Sequence, residues 1–311
     1  MVASWLGRKR VDIVWFDPEE YPAHRRVSFR LRGQDEDGPG TGMEADGLDW
    51  GVIRSALYRT PQSPRASDRV LDPKLRSWIQ KEAATCLSGL WSAAPWFWVS
   101  HPQRIIEGQY KPCHLRRAVE LGFTIPRTLI SNDPDQILSF VDSCGGCVIS
   151  KPLLHGTLQR GEKRYAIYTR MLRPPDVARL RRTAFAPVIF QEYVPKRLEL
   201  RVTVVGDRCF AAAIHSQQSP RSRVDWRRYD FEHTPYVPYR LPQDVRELCI
   251  ALVRDLGLQY GALDLILRPD GSFVFLEINP VGQWGWVEFL TGLPISRALA
   301  DLLTSARARI Q

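Results

Sequence analysis

The chain has 311 residues, and 43 Lys and Arg against 34 Asp and Glu give a formal net charge of +9. Hydrophobic residues are 44% and aromatics 10%, which excludes wholesale disorder. No apolar run is long enough for a membrane helix, no export signal is legible at the N-terminus, and six cysteines in this length make no disulfide framework. The expectation is a soluble cytoplasmic chain that handles something acidic: a nucleotide, a nucleic acid or an acidic peptide.

In chain order, VDIVWF (11–16) predicts a short buried strand, broken by FDPEEYP. VSFRL (27–31) predicts a second strand, QDEDGPGTGMEADG (34–47) an acidic Gly-rich loop, and WGVIRSALYR (50–59) a return to strand. Pro73 to Leu90 reads as a helix, so the first hundred residues form a small α/β unit with interrupted elements. CHLRRAVELGFTIPRTLI is a helix, a Gly stop and a short strand. Asn132 or Asp133 can cap the next helix, with Pro134 in its first turn and Ile137, Leu138 and Val141 along one face. CVISKPLL (147–154) and RYAIYTRML (164–172) predict strands joined by HGTLQRGEK, and PVIFQEYV (187–194) a strand that ends at Pro195. ELRVTVVGDRCFAAAIHS (199–216) predicts a hairpin about Gly206-Asp207. Residues 219–240, rich in Arg, Pro and Tyr, read as a loop; residues 241–256 carry a helical stripe that ends at Gly257. A hairpin and the helix LPISRALADLLTSA close the chain.

The sharpest local signal is GALDLILRPDGSFVFLEINPVG (261–282), two strands around a two-residue turn at Asp270-Gly271. That register sets Asp264 opposite Glu277, and Asn279 shares the face because strand side chains alternate. Leu263, Leu265, Leu267, Val274, Leu276 and Ile278 fall on the other face as plain core. Like charges directly opposite destabilise a sheet, so a cation should compensate. Hard oxygen donors without His or Cys suit Mg²⁺, which keeps waters and bridges phosphates. The plain alternative is an exposed face paired with nearby Arg or Lys.

Phosphates need donors. Lys151 ends a strand among apolar residues, Lys111 precedes a helix, Arg201 alternates with Glu199, and Arg227 lies in VDWRRY. Singly each reads as a solvated charge; with the carboxylate hairpin they suggest a triphosphate and Mg²⁺ site. Neither G-x-x-x-x-G-K-[ST] nor G-x-G-x-x-G occurs, which argues against a P-loop NTPase, a Rossmann dehydrogenase and a protein kinase.

The stretches KPCHLRRAVELGFTIPRTLISNDP, VISKPL, FQEYVPKRLELRVTVVG, AAAIHSQQ with DWRRY, and GALDLILRPDGSFVFLEINPVGQWGWVE resemble the ATP-grasp ligases. In order and spacing they look most like the branch that cross-links ribosomally made peptides, the microviridin-type graspetide maturases. The resemblance covers residues 105–305 well and 10–60 weakly. It implies an α/β (α+β) ATP-grasp fold: an N-terminal α/β domain (1–108), a central lobe (109–190) and a C-terminal lobe with the metal-binding hairpin (191–311), the two lobes gripping ATP.

The resemblance also implies roles. Lys111 and Lys151 would contact nucleotide phosphates. Gln191, Glu192, Tyr193 and Val194 would link the lobes, with backbone at Glu192 and Val194 reading adenine, and Glu199 would hold ribose. Arg201, Arg227 and Lys151 would serve the transferred phosphoryl group, and Asp264, Glu277 and Asn279 would bind Mg²⁺, as two ions. LLHGTLQRGEK only modestly matches the family's Gly-rich loop over the phosphates. The implied reaction activates Asp or Glu side chains of a precursor peptide (a leader and an acidic, Thr-containing core) as acyl phosphates, then forms esters to Thr or Ser, or amides to Lys. A homodimer would fit the family; nucleic acid and membrane are not expected partners.

Two alternatives stand beside this reading. One is a ligase that adds an amino acid to a peptide or protein terminus, as glutamate ligases do; the other is a non-catalytic peptide-binding module on the same fold. Cys144-Gly145-Gly146-Cys147 reads as a Gly turn with two incidental cysteines, since no second C-x-x-C or adjacent His completes a metal set. Trp284 is divided between packing and an acceptor pocket, and Trp286 reads as packing.

Overall fold

The computed structural model describes residues 1–31, 41–59, 61–154, 157–161, 163–177 and 179–305. It divides into two compact units, Met1–Ile105 with Ser296–Gln311, and Ile106–Ile295.

The first unit opens with helix α1 (Val2–Arg8). Strands β1 (Val27–Leu31), β2 (Thr41–Ala45) and β3 (Leu48–Asp49) form an antiparallel sheet, in which Val27 pairs with Ala45. Strand β4 (Ser55–Leu57) pairs in parallel with β5 (Phe97–Val99), with helix α2 (Pro73–Ala93) between them in sequence. Asp72 caps α2 by accepting from Lys74 N at 2.7 Å, and Pro73 occupies the first turn, where its missing N–H costs nothing. Leu90, Met43, Ala45 and Trp50 form this unit's core, and Phe16 and Trp96 pack edge-on against Trp50. Helix α3 (Pro102–Gln109) carries the chain into the second unit.

The expected strand at 11–16 is absent. Val11 and Phe16 are half-buried, while Trp15 is 75% exposed: an apolar run without a partner strand satisfies no ladder. The expected loop at 34–47 includes β2, and its residues 34–40 lie outside the described residues. Residues 50–59 split into a 3₁₀ turn at Trp50–Val52 and β4.

Among the described residues the second unit contains a four-stranded sheet, a five-stranded sheet and a small two-stranded one. Helix α4 (Lys111–Glu120) leads to β6 (Thr128–Ser131), helix α5 (Pro134–Ser143) and β7 (Val148–Lys151). Strands β8 (Thr157–Arg160) and β9 (Lys163–Ala166) form a separate hairpin where a connection was expected. Then come β10 (Arg170–Met171), the short helix α6 (Pro174–Val177) and β11 (Val188–Glu192). The expected strand at 164–172 is therefore broken between β9 and β10. The first sheet runs β10-β7-β11-β6, and α5 lays Ile137 and Val141 on Val148 and Phe190. Asp133 caps α5, and Gly145 and Gly146 close its end by donating to Asp142 O and Val141 O, so the C-x-x-C segment is a helix terminus with both thiols free.

The second sheet has the order β14-β13-β12-β15-β16. Its strands are β12 (Leu198–Val205), β13 (Arg208–Ile214), β14 (Tyr236–Tyr239), β15 (Tyr260–Leu267) and β16 (Phe273–Asn279), with helix α7 (Gln243–Asp255) before β15. The stretch 219–240 thus contains a strand and a 3₁₀ turn at Trp226–Arg228. Helix α8 (Gly285–Thr291) follows, and helix α9 (Ile295–Ser305) returns the chain to the first unit. One face is packed by α7 and α4: Val253 and Ile278 close on Gly261, His114 meets Phe275 edge-on, and Phe123 lies tilted against the same ring.

The β15–β16 hairpin has two irregularities. Its turn is three residues, not two: Arg268 N donates to Ser272 O and Gly271 N to Arg268 O, with Gly271 at φ +89°, which favours glycine. Leu267 therefore pairs with Phe273. A bulge at Leu276 then inserts one residue, so that Leu265 pairs with Phe275 yet Asp264 pairs with Glu277. The two offsets cancel at the carboxylates but not between turn and bulge. Phe275 takes the packed face, and Val274 joins Ile266, Leu276 and Val194 on the other, which corrects the expected placing of Val274 and Leu276.

Candidate functional site

The face of the second sheet opposite α7 carries a row of charge. Arg201 on β12 is the cross-strand partner of Asp264 on β15, which is in turn the partner of Glu277 on β16. Arg201 Nη1 donates to Asp264 Oδ1 at 3.0 Å. Lys111 Nζ, from the first turn of α4, donates to Glu277 Oε2 at 2.5 Å, and Lys151 Nζ at the end of β7 stands 3.6 Å from the same oxygen. All five side chains are 12% exposed or less. The compensating cation expected for the carboxylate pair is thus present as two lysines and an arginine. Gly282 makes the row fit: a Cβ there would lie 2.6 Å from Arg201 Nη2 and 2.5 Å from Ala262 Cβ.

Burial dominates the electrostatics. It raises the Asp264 carboxyl above the usual range, with Arg201 opposing and Glu277 adding. It lowers Lys151 to about 8 against the pull of Glu277. His114 is held by Gly108 O at 3.1 Å, and burial lowers it to about 4, so it is neutral near pH 7.

These charges border a solvent-open cleft of about 610 Å³ within the second unit. Lys151, Glu199, Arg227, Asp264 and Glu277 line it, together with the Gln191–Val194 segment. Lys111 and Arg201 stand behind that lining, linked to it through Glu277 and Asp264. Asn279 does not line it either; its Oδ1 accepts from Val281 N at 3.0 Å in a local turn.

The Gln191–Val194 segment is tied to its neighbours. Gln191 Nε2 donates to Thr128 Oγ1 while its Oε1 is buried without a hydrogen-bond partner. Glu192 pairs with Arg127 at 3.0 Å and gives its amide hydrogen to Arg127 O, and Tyr193 N donates to Cys147 O. Any base reading by Glu192 therefore falls to its carbonyl. Glu199 Oε1 accepts from Lys196 at 2.9 Å and from Ser216 at 2.7 Å; burial raises the carboxyl and both contacts lower it, leaving it raised. Arg227 is forked onto Asp225.

Sequence reasoning missed Lys196, Asp225, Thr169 and Trp226, all of which line the cleft. The first three are isolated polar residues in irregular segments, without a periodic signal. Trp226 carries Arg201 over its ring at 5.9 Å and stacks on Trp286 at 5.1 Å, so Trp286 packs as expected. Trp284 packs edge-on against Tyr260.

The residues fit a hydrated divalent cation. Two buried carboxylates converge beside a cleft and an amide oxygen lies on the same strand; in this structure the carboxylates are held by Lys111, Lys151 and Arg201 and the amide oxygen by Val281 N, so an ion would share or displace these contacts. No group of three or more His, Cys, Asp or Glu able to hold a metal occurs among the described residues, so any ion here draws ligands from water or substrate phosphates.

No family model matches the chain. Among curated proteins it is similar to a probable alpha-L-glutamate ligase of Teredinibacter turnerae, 24% identical over 188 residues, covering 58% of each chain. It is also 26% identical over 181 residues to the ribosomal protein bS6–L-glutamate ligase of Escherichia coli, covering 56% of each. It thus spans little more than half the length of the curated relatives it matches. The structural likeness is nearly complete. A Chryseobacterium gregarium RiPP-associated ATP-grasp ligase, in complex with ADP and a leader and core peptide, superposes with TM-score 0.88 at 25% identity, covering 98% of this chain and 92% of that one. The macrocyclase MdnC of Microcystis aeruginosa MRC, bound with precursor peptide MdnA, gives TM-score 0.84 at 29% identity, covering 98% and 95%. The ligase PsnB, complexed with minimal precursor, Mg and ADP, shares the fold at TM-score 0.78 and 24% identity, with 98% and 92% covered. The chain has the fold of the ATP-grasp ligases, and its likeness among them is to the RiPP-associated ligases.

Proposed function

We propose that this chain is an ATP-dependent peptide ligase that activates Asp or Glu side chains of a ribosomally made precursor and joins them to Thr or Ser hydroxyls or Lys amines within the same peptide. The observation that carries the reading is the Arg201–Asp264–Glu277–Lys111 row at the floor of a cleft that Lys151 and Arg227 also reach. The structural likeness to peptide-bound ligases supports it.

Asp264, Glu277 and Asn279 would hold Mg²⁺, as two ions, which would supply charge neutralisation on the triphosphate. Lys111 and Lys151 would bind phosphate oxygens. The Glu192 carbonyl and the Val194 amide would read adenine, flanked by Gln191 and Tyr193, and the second Glu199 oxygen would take a ribose hydroxyl. A peptide carboxylate oxygen attacks the γ-phosphorus, the bond to ADP breaks, and an acyl phosphate forms. The acceptor oxygen or nitrogen then attacks the carbonyl carbon, phosphate leaves, and the acceptor's proton departs with it. Arg201 and Arg227 would stabilise charge on the group in transfer. Exclusion of water protects the acyl phosphate.

The reading includes the three-part division at 1–108, 109–190 and 191–311, a cytoplasmic setting and a homodimer to be checked by sedimentation. No helix among the described residues is long and apolar enough to cross a membrane. The test is incubation with ATP, Mg²⁺ and candidate precursors, read by intact mass. Each cross-link removes one water. The curated relatives favour a second reading, addition of glutamate to a terminus, which instead adds the mass of a residue.

A further inference from the structure

Arg227, which lines the cleft, and Arg201, which stands behind its lining, are held in different ways. Arg201 stands on a fully buried strand, whereas Arg227 sits on a one-turn 3₁₀ segment inside a loop. A long cationic side chain in such a place gains no aim from secondary structure. Asp225 supplies it. Its Oδ1 accepts from Arg227 N at 3.0 Å and from Arg227 Nε at 2.8 Å. Its Oδ2 accepts from Arg227 Nη2 at 2.6 Å and from the Thr169 amide at 2.9 Å. Four donors fill the carboxylate's capacity, and its side chain is 3% exposed. Arg227 Nη2 also donates to Thr169 Oγ1 at 3.3 Å, whereas Nη1 takes none of these contacts.

Thr169 directly precedes β10, whose Arg170 pairs with Ser150, the neighbour of Lys151. The fork therefore references Arg227 to the strand pair that carries Lys151. The turn is held against strain: Tyr229, which follows it, has φ +33°, a conformation a bulky residue adopts only when its surroundings impose it. Burial works against the Arg227 charge and the Asp225 fork outweighs it.

We propose that Asp225 is a positioning residue: it fixes Arg227 by a two-oxygen fork shared with Thr169, so that the Nη1 edge faces the phosphoryl group while Asp225 itself touches no substrate. The inference rests on the ligase reading above, and its test separates the two. In Asp225→Asn the amide NH₂ faces donors and the fork is lost. The expected result is a roughly 10–100-fold fall in kcat for dehydrated product with KM for ATP within about threefold, together with loss of the slowly exchanging Arg227 Nε–H ¹⁵N resonance, assigned by its disappearance in Arg227→Lys. In the Arg227→Lys background, Asp225→Asn should cost little more. Thr169→Val removes one acceptor from Arg227 and should weaken the same resonance with a smaller fall in kcat, which keeps the test if Asp225→Asn does not fold. A retained resonance with unchanged kcat overturns the proposal, and so does a KM for ATP that rises in step with the loss, since Asp225 would then touch the nucleotide. If wild type forms no dehydrated product with any precursor while the resonance still depends on Asp225, the ligase reading falls and the fork stands.

Discussion

The first unit and the second sheet of the second unit use charge in opposite ways. In the first unit the ion pairs lie in water: Arg25 meets Glu20 and Asp46, and Arg65 and Arg76 share Asp68, whose side chain is 74% exposed. In the sheet Arg201–Asp264 and Lys111–Glu277 are sealed among strands. Exposed pairs contribute little to stability, and buried ones offset their desolvation only when every partner is present. An all-apolar row would pack there with less risk. The contrast teaches that the sheet holds its charge out of water at a cost in stability, which the proposed chemistry would explain, whereas the first unit keeps its charge in the solvent.

The largest effect expected from breaking that contrast is at Glu277. Glu277→Gln should lower ATP-dependent product formation by about 10³-fold or more while the circular dichroism stays native. Undiminished product by intact mass would remove Glu277 from the metal site. Next, Asp264→Leu alone strands Arg201 and should cost roughly 3–5 kcal/mol in denaturant unfolding, whereas Asp264→Leu with Arg201→Met should recover most of it. Both variants should be inactive, so stability and activity part company. A double variant as unstable as the single would show that the pair is structural.

A buried group kept neutral sharpens the comparison further. His114 titrates at about 4 when folded against its ordinary 6.5, so the unfolded chain takes up the proton first. This contribution is intact above 6.5 and is lost as pH falls through 4, by roughly 3 kcal/mol in total. His114→Phe should flatten that part of the stability curve, read by urea unfolding between pH 7 and 4. The smallest effect is on the exposed side: Asp68→Asn should leave the unfolding midpoint unchanged, and a clear fall would mean that the first unit also depends on its ion pairs.

The site was more legible in the sequence than the frame around it. Asp264, Glu277, Lys151, Arg201 and Arg227 stand out because charged residues interrupt apolar strands or recur in a known wording, and the structure brings all five into one row and cleft. The facing of Asp264 and Glu277 follows from the sequence only because a three-residue turn and a bulge offset each other, and neither leaves a periodic trace. Asp225 and Lys196 were hidden because a lone charge in a loop has no pattern against which to stand out. The first unit resisted reading for another reason: β4 pairs with β5 across some forty intervening residues, and its core is made by tryptophans on interrupted segments, so local periodicity says little about what meets what.

The double irregularity of the β15–β16 hairpin bears on how the chain can be altered. Asp270 and Gly271 are exposed at the tip, and the bulge at Leu276 lies between them and the carboxylates. A residue added or removed at the tip changes only the arc that joins Leu267 to Phe273. A residue removed at Leu276 restores regular alternation, with Phe275 on the packed face and Glu277 still opposite Asp264, so the row keeps its register. The tip is accordingly a port for a reporter group, while the bulge absorbs the one residue by which the three-residue turn shifts the register, and its loss would take Leu276 from the cleft lining without separating Asp264 from Glu277.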